Sequence, residues 1–200
     1  MALDLNEYDE SVRQECEGMA PRNLISFCCV ACERVLPLYK AYREGSDWRS
    51  VDRCLEVGWA FVRGKKVKLP KPLWDSVREG TGFYYYEGYP LLLFATAGGT
   101  DLLRALKEPE SDYATINAAR LARKVIRAAE EVDAVLTLAG SAAAGSAVAE
   151  ESEWLRRTIA AAKEGPLEPL GIDLESKKGL PGWWDALAGC REPVRKVKLD

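Results

Sequence analysis

Histidine is absent from the 200 residues of this chain. Its absence excludes Ser-His and Cys-His nucleophilic sites, the common zinc hydrolase centres and the Glu-x-x-His di-iron bundles. Carboxylates, lysines, tyrosines and thiolates are what remain for chemistry, and no catalytic activity is expected. Long apolar runs are lacking as well. The longest uncharged stretch lies between Asp133 and Glu150 and contains Gly140, Ser141, Gly145 and Ser146. It is shorter than the ~20 residues a membrane span needs. The opening MALDLNEYDE is acidic and has neither a basic n-region nor an apolar h-region, so no signal peptide is expected. A cytoplasmic protein with reduced cysteines is therefore predicted.

The length suits one domain over residues 1–200, able to bury roughly 70% of its unfolded surface without disulfides. Net charge is -3, unevenly placed. Residues 1–20 carry six acids (Asp4, Glu7, Asp9, Glu10, Glu15, Glu17) against Arg13 alone, and residues 63–71 carry five bases and no acid. Both read as solvated surface. The basic strip has no interleaved aromatics, so no direct nucleic-acid partner and no membrane partner are expected.

Periodicity predicts an all-α bundle of about six or seven helices, with an irregular tail over 165–200. Apolar positions 24, 28, 31, 35, 38 and 42 form a helical stripe from Asn23, a plausible N-cap, to Arg43. Ile25, Cys32, Leu36 and Tyr39 widen it, and Pro37 should kink it. A second helix is expected from Asp47 to about Val62, capped by Ser46. A short helix over Leu73–Glu79 is predicted, then a turn-rich connector, GTGFYYYEGYP. Pro90 should open a helix that Gly98 and Gly99 end or kink, with Thr100 capping Asp101–Lys107. The clearest helix runs from Asp112 to Gly140, with the seam Ala118, Ala122, Val125, Ala129, Val132 and Leu136. Another follows at about Glu150–Lys163, with Trp154 buried, and a short one at Trp183–Ala188.

The stretch FCCVACERVLPLY, residues 27–39, poses the main chemical question. Cys29-x-x-Cys32 has redox or zinc-knuckle spacing. It lies nearly two turns inside a helix, with no second pair, and reduced cysteine packs as a small hydrophobe. The core reading wins. Two nucleotide signatures fail: Gly58-WAFVR-Gly64-Lys65-Lys66 has one residue too many and no Ser/Thr, and Gly80-Thr-Gly82 ends in Tyr85 with no strand before it. Asp52 and Glu56, one turn apart, read as a charged face. Phe83, Tyr84, Tyr85, Tyr86 and Tyr89, with Trp183 and Trp184, read as core or as interface anchors.

NLISFCCVACERVLPLYKAY followed by WRSVDRCLEVGWAFV resembles a group of all-helical bacterial proteins. These share a first helix reading roughly Leu-x-Phe-Ala-x-x-x-x-Glu-Arg-x-x-Pro-x-Tyr, then a Trp-bearing helix. The group includes the predicted immunity proteins of polymorphic toxin systems (the Imm-five family) and the YjaG-like family. The matching positions are Leu24, Phe27, Glu33, Arg34, Pro37, Tyr39 and Trp59, within the first third of the chain. The resemblance implies a structural role for Glu33, Arg34 and Pro37, with Arg34 donating to freed carbonyls or pairing with an acid. It also implies a cytoplasmic helical bundle that neutralises a cognate toxin, for instance a nuclease, by stoichiometric binding without cofactor or metal. Candidate contacts are the acidic Asp4, Glu7, Asp9 and Glu10 and the aromatic Tyr84, Tyr85 and Tyr86. A homo-oligomer is compatible with this. The alternatives are a YjaG-like protein of unknown role and a carboxylate/thiol metal-dependent enzyme.

Overall fold

Helix α2 (Pro21–Tyr42) carries the cysteine-rich stretch and sits at the centre of the architecture. Pro21 fills the first turn, where its missing N–H costs nothing, so the helix starts two residues ahead of the expected Asn23 cap. Leu24, Cys28, Ala31, Val35 and Leu38 are buried as the stripe requires, and Ile25, Phe27, Cys29, Val30, Cys32 and Leu36 extend burial almost around the helix. The helix passes through Pro37 without ending.

The computed structural model describes residues 5–42, 48–87, 90–174 and 176–190. Eight helices make up the described chain, with no β-strand among those residues: α2, α1 (Leu5–Cys16), α3 (Trp48–Val62), α4 (Lys71–Glu87), α5 (Pro90–Lys107), α6 (Asp112–Leu138), α7 (Ala147–Glu164) and α8 (Trp184–Gly189). The fold is all-α. Helix α6 lies against α5, α1, α2 and α7, while α2 also meets α3 and α5. The six seam residues of α6 are all buried. Ser46, the expected cap of α3, lies outside the described residues.

The expected break points in the middle of the chain are not breaks. The predicted short helix and GTGFYYYEGYP connector are one helix, α4, as far as Glu87. Two helix-interior glycines cost about 1 kcal/mol each, and packing of α4 on α5 and α3 outweighs that. Likewise α5 runs unbroken through Gly98 and Gly99, with Thr100 inside it rather than capping. A Cβ on Gly98 would lie 3.4 Å from Leu121 and 3.7 Å from the Cys32 sulfur, and one on Gly99 3.4 Å from Val77 and 3.6 Å from the Cys54 sulfur. The glycine pair is therefore a contact surface, where bare backbone lets four helices close on α5.

Helix ends follow local chemistry. Gly64, at φ +78°, closes α3, with its N–H donating to the Phe61 carbonyl (2.8 Å) and the Lys65 N–H to that of Ala60 (3.0 Å). This is the Schellman pattern, and Gly140 repeats it after α6. The start of α7 is capped from a distance. The Asp133 carboxylate on α6 accepts from the N–H groups of Gly145 (2.9 Å), Ala147 (3.0 Å) and Val148 (3.0 Å). Helix α7 thus opens at Ala147, three residues before the expected Glu150. Among the described residues no helix is long and apolar enough to cross a membrane.

Candidate partner-binding cleft

The thiols of the cysteine stretch face inward. Cys16, Cys28, Cys29, Cys32 and Cys54 are buried and unpaired, and Cys190 is half-buried. Burial pushes the Cys16 and Cys54 thiols up from 9.0 to about 12, and those of Cys28, Cys29 and Cys32 well above their ordinary value. A thiolate is the nucleophile and the metal ligand, so these positions oppose both roles. Among the described residues no three His, Cys, Asp or Glu side chains are placed to hold a metal ion. The Cys29 sulfur instead fills the space that a side chain at Gly58 would need, lying 2.4 Å from an ideal Cβ there.

The polar pair that follows the cysteines, Glu33 and Arg34, bonds to segments far along the chain. Arg34 is 8% exposed and meets Glu151, 1% exposed, through two 2.9 Å contacts. It also reaches Glu150 at 3.3 Å and stacks over the half-buried Trp154, 4.9 Å from the ring centroid. Trp183 donates its indole N–H to Glu151 at 3.0 Å, and the Gly182 N–H donates to Glu150 at 2.7 Å. The resemblance's implication that Arg34 pairs with an acid is met. Trp154, expected in the core, is only half-buried because it forms the stacking face for this guanidinium.

Glu33 is the second anchor. It accepts the Trp59 indole N–H on one oxygen (2.7 Å) and the Leu170 backbone N–H on the other (2.7 Å). Burial pushes its carboxyl above the ordinary value, and the Leu170 and Trp59 donors pull it back. Two helical turns earlier, the Ser26 hydroxyl accepts from the Leu167 N–H at 2.8 Å. Seven residues of helix rise about 10.5 Å. Three residues of extended chain cover about 10 Å, so Leu167 and Leu170 meet the two acceptors in register. Residues 167–170, the start of the segment expected as an irregular tail, thus form a strap laid along α2.

Strap, α2 and α3 together enclose a cleft of about 630 Å³. Its charged lining is Glu33, Asp52, Glu56 and Asp173 against Lys40 and Arg63, with Trp59, Leu55 and Ile172 among the apolar walls. Lys40 pairs with Asp52 at 3.3 Å. Asp52 and Glu56, one turn apart on α3, therefore share a concave wall instead of a featureless face.

Of the sequence candidates, Glu7, Asp9 and Glu10 lie elsewhere, on α1. Asp4 lies outside the described residues, as do the side chains of Tyr84, Tyr85 and Tyr86 on α4. Helix α1 packs against α6 and α7, so the described part of the acidic segment is part of the bundle. Asp9 is half-buried there and pairs with Arg123 at 2.9 Å. Glu10 pairs with Arg13 at 2.7 Å, and Glu7 is exposed and also has a partner. Glu7, Asp9 and Glu10 are not among the residues that line the cleft. Glu33, Trp59 and the strap residues were not foreseen as a unit, although Glu33 and Trp59 stand in the motif that carries the family resemblance.

Comparison of the chain with protein-family models, with curated proteins and with solved structures returned no match.

Proposed function

We propose that this chain is an immunity-type binding protein of the cytoplasm, which neutralises a cognate toxin by stoichiometric contact and without catalysis. The observation that carries the reading is the cleft lining of four carboxylates against two cations. An acid-rich concavity with an indole and aliphatic walls suits a basic segment of a protein partner, such as the nucleic-acid-binding face of a nuclease. Charge complementarity of this kind raises association rate and selects partners. The resemblance of α2 and α3 to the Imm-five group supports the same reading, since its motif residues Glu33 and Trp59 build the cleft wall.

The test is a rescue assay in a sensitive host. The neighbouring upstream open reading frame is expressed with and without this protein, and with an Asp52→Lys/Glu56→Lys variant. Growth arrest relieved by the wild type, and not by the folded variant, is the expected result. A toxic neighbour that the wild type fails to neutralise defeats the immunity reading. Full rescue by the variant moves the contact away from the cleft.

A further inference from the structure

We propose that the loop joining α3 to α4 is a docking surface for the phosphate backbone of a nucleic-acid strand. The sequence alone argued against this, and three structural observations reverse it. First, Arg63, Lys65, Lys66, Lys68 and Lys71 are all exposed, and none forms an ion pair with any described residue. Arg63 also lines the acid-rich cleft, whereas the four lysines are not among its lining residues.

Second, the loop is built as a row. Between Lys65 and Pro70 the chain has neither helix nor turn, and burial alternates: Lys66 exposed, Val67 half-buried, Lys68 exposed, Leu69 half-buried. Leu69 packs on the hydrophobic core, so the loop is anchored through its apolar side. Lys66 and Lys68 leave on the opposite side, about 6.6 Å apart along an extended chain.

Third, the fold adds charge from outside the loop. Arg22, at the start of α2, lies against Gly64, where a Cβ would come within 2.9 Å of its guanidinium. It makes a sixth cation, 41 positions before Arg63. Lys71 opens the 17-residue α4, whose positive dipole end faces the same loop.

The chemistry of the row selects the partner. Polyphosphate binding needs spaced cations and releases condensed counterions, with no requirement for apolar contact. A protein interface has an apolar or aromatic centre, and lasting membrane attachment inserts apolar side chains. Leu69, the apolar residue of this loop that packs on the core, turns inward. Among the described residues, the large exposed hydrophobics are Tyr113 and Leu138, both on α6. The inference does not depend on the immunity reading.

The experiment is fluorescence anisotropy of the full chain with a labelled single strand of about 20 nucleotides, over a salt series. Four lysines on phosphates give a log–log slope of about -3, a loss of about 50-fold between 50 and 200 mM salt. K65Q/K66Q/K68Q/K71Q should weaken binding at least tenfold at low salt and flatten the slope. R156Q/R157Q on α7 should do neither. Circular dichroism checks that each variant is folded, and K66Q/K68Q alone serves if the fourfold variant is not. Absence of binding at about 50 mM salt overturns the proposal, as does equal loss in the α7 variant. Tighter binding to phosphatidylserine vesicles or to poly-glutamate than to the strand also overturns it, in favour of a membrane or an acidic protein.

Discussion

Arg34 and Glu151, 117 residues apart in sequence, face each other as a buried bidentate pair with two contacts of 2.9 Å. Leaving either charge without its partner in this environment costs about 3–5 kcal/mol. Arg34→Met alone, or Glu151→Leu alone, is expected to lower unfolding free energy by that amount in urea titrations. The double variant should recover part of it, since no fully buried lone charge remains while the Trp183 indole N–H loses its acceptor. A single variant within 1 kcal/mol of wild type would show that Glu150 and solvent replace the partner.

Gly58 and Cys29 are matched by size. Alanine at 58 would put a carbon 2.4 Å from the Cys29 sulfur, well inside contact distance. Gly58→Ala should therefore destabilise the protein by about 1–3 kcal/mol despite alanine's better helix propensity. Adding Cys29→Ala should restore stability, because the sulfur is the obstacle. Thermal unfolding of the two single variants and the double reads this coupling directly.

Alkaline pH should weaken the fold. In the folded state the Cys16 and Cys54 thiols titrate at about 12, against 9.0 when free. Between those values the folded chain holds protons that the unfolded chain has released. This stabilisation is complete below the unfolded value and is lost as pH rises through the folded one. Each thiol then contributes a fall of about 1.4 kcal/mol per pH unit. Urea titrations above pH 9 should show the slope, and Cys54→Ala should make it shallower. Under native conditions a thiol reagent should modify Cys190 ahead of the other five. Equal labelling of all six would contradict the core assignment.

The strap should be separable from the bundle by one atom change. Glu33→Gln leaves one acceptor oxygen where two donors, Trp59 and Leu170, now bond. Amide exchange at Leu170 is expected to rise about tenfold or more, the equivalent of losing a charged hydrogen bond. Exchange in the middle of α6 should not change. A uniform rise across the chain would mean that the variant acts on global stability instead.

The α6 seam was readable because a 4-3-4-3-4 spacing of small apolar residues has one helical solution, and all six are buried. Cys28, Cys29 and Cys32 were readable for the same reason. Gly98 and Gly99 misled because a glycine pair looks the same in sequence whether it ends a helix or admits a neighbour. The neighbours here, Cys32, Cys54, Val77 and Leu121, come from four other helices. An acid partner for Arg34 followed from the motif, but nothing local pointed to Glu151. Asp133 was equally silent, since it caps a helix other than its own. The cleft depends on a strap that composition alone describes as loop.

The Arg34–Glu151 pair also sets a schedule for synthesis. Arg34 is added to the chain 117 residues before its counter-charge. At roughly 5–20 residues per second, that interval is about 6–23 s. Glu33 waits longer still, for Leu170. During this time α2 has a guanidinium without its carboxylate and, at Glu33, one oxygen bonded to Trp59 and the other still waiting. Residues 150–170 therefore close contacts for which Glu33 and Arg34 have been waiting, and a truncated chain ending before residue 150 would leave Arg34 without its counter-charge.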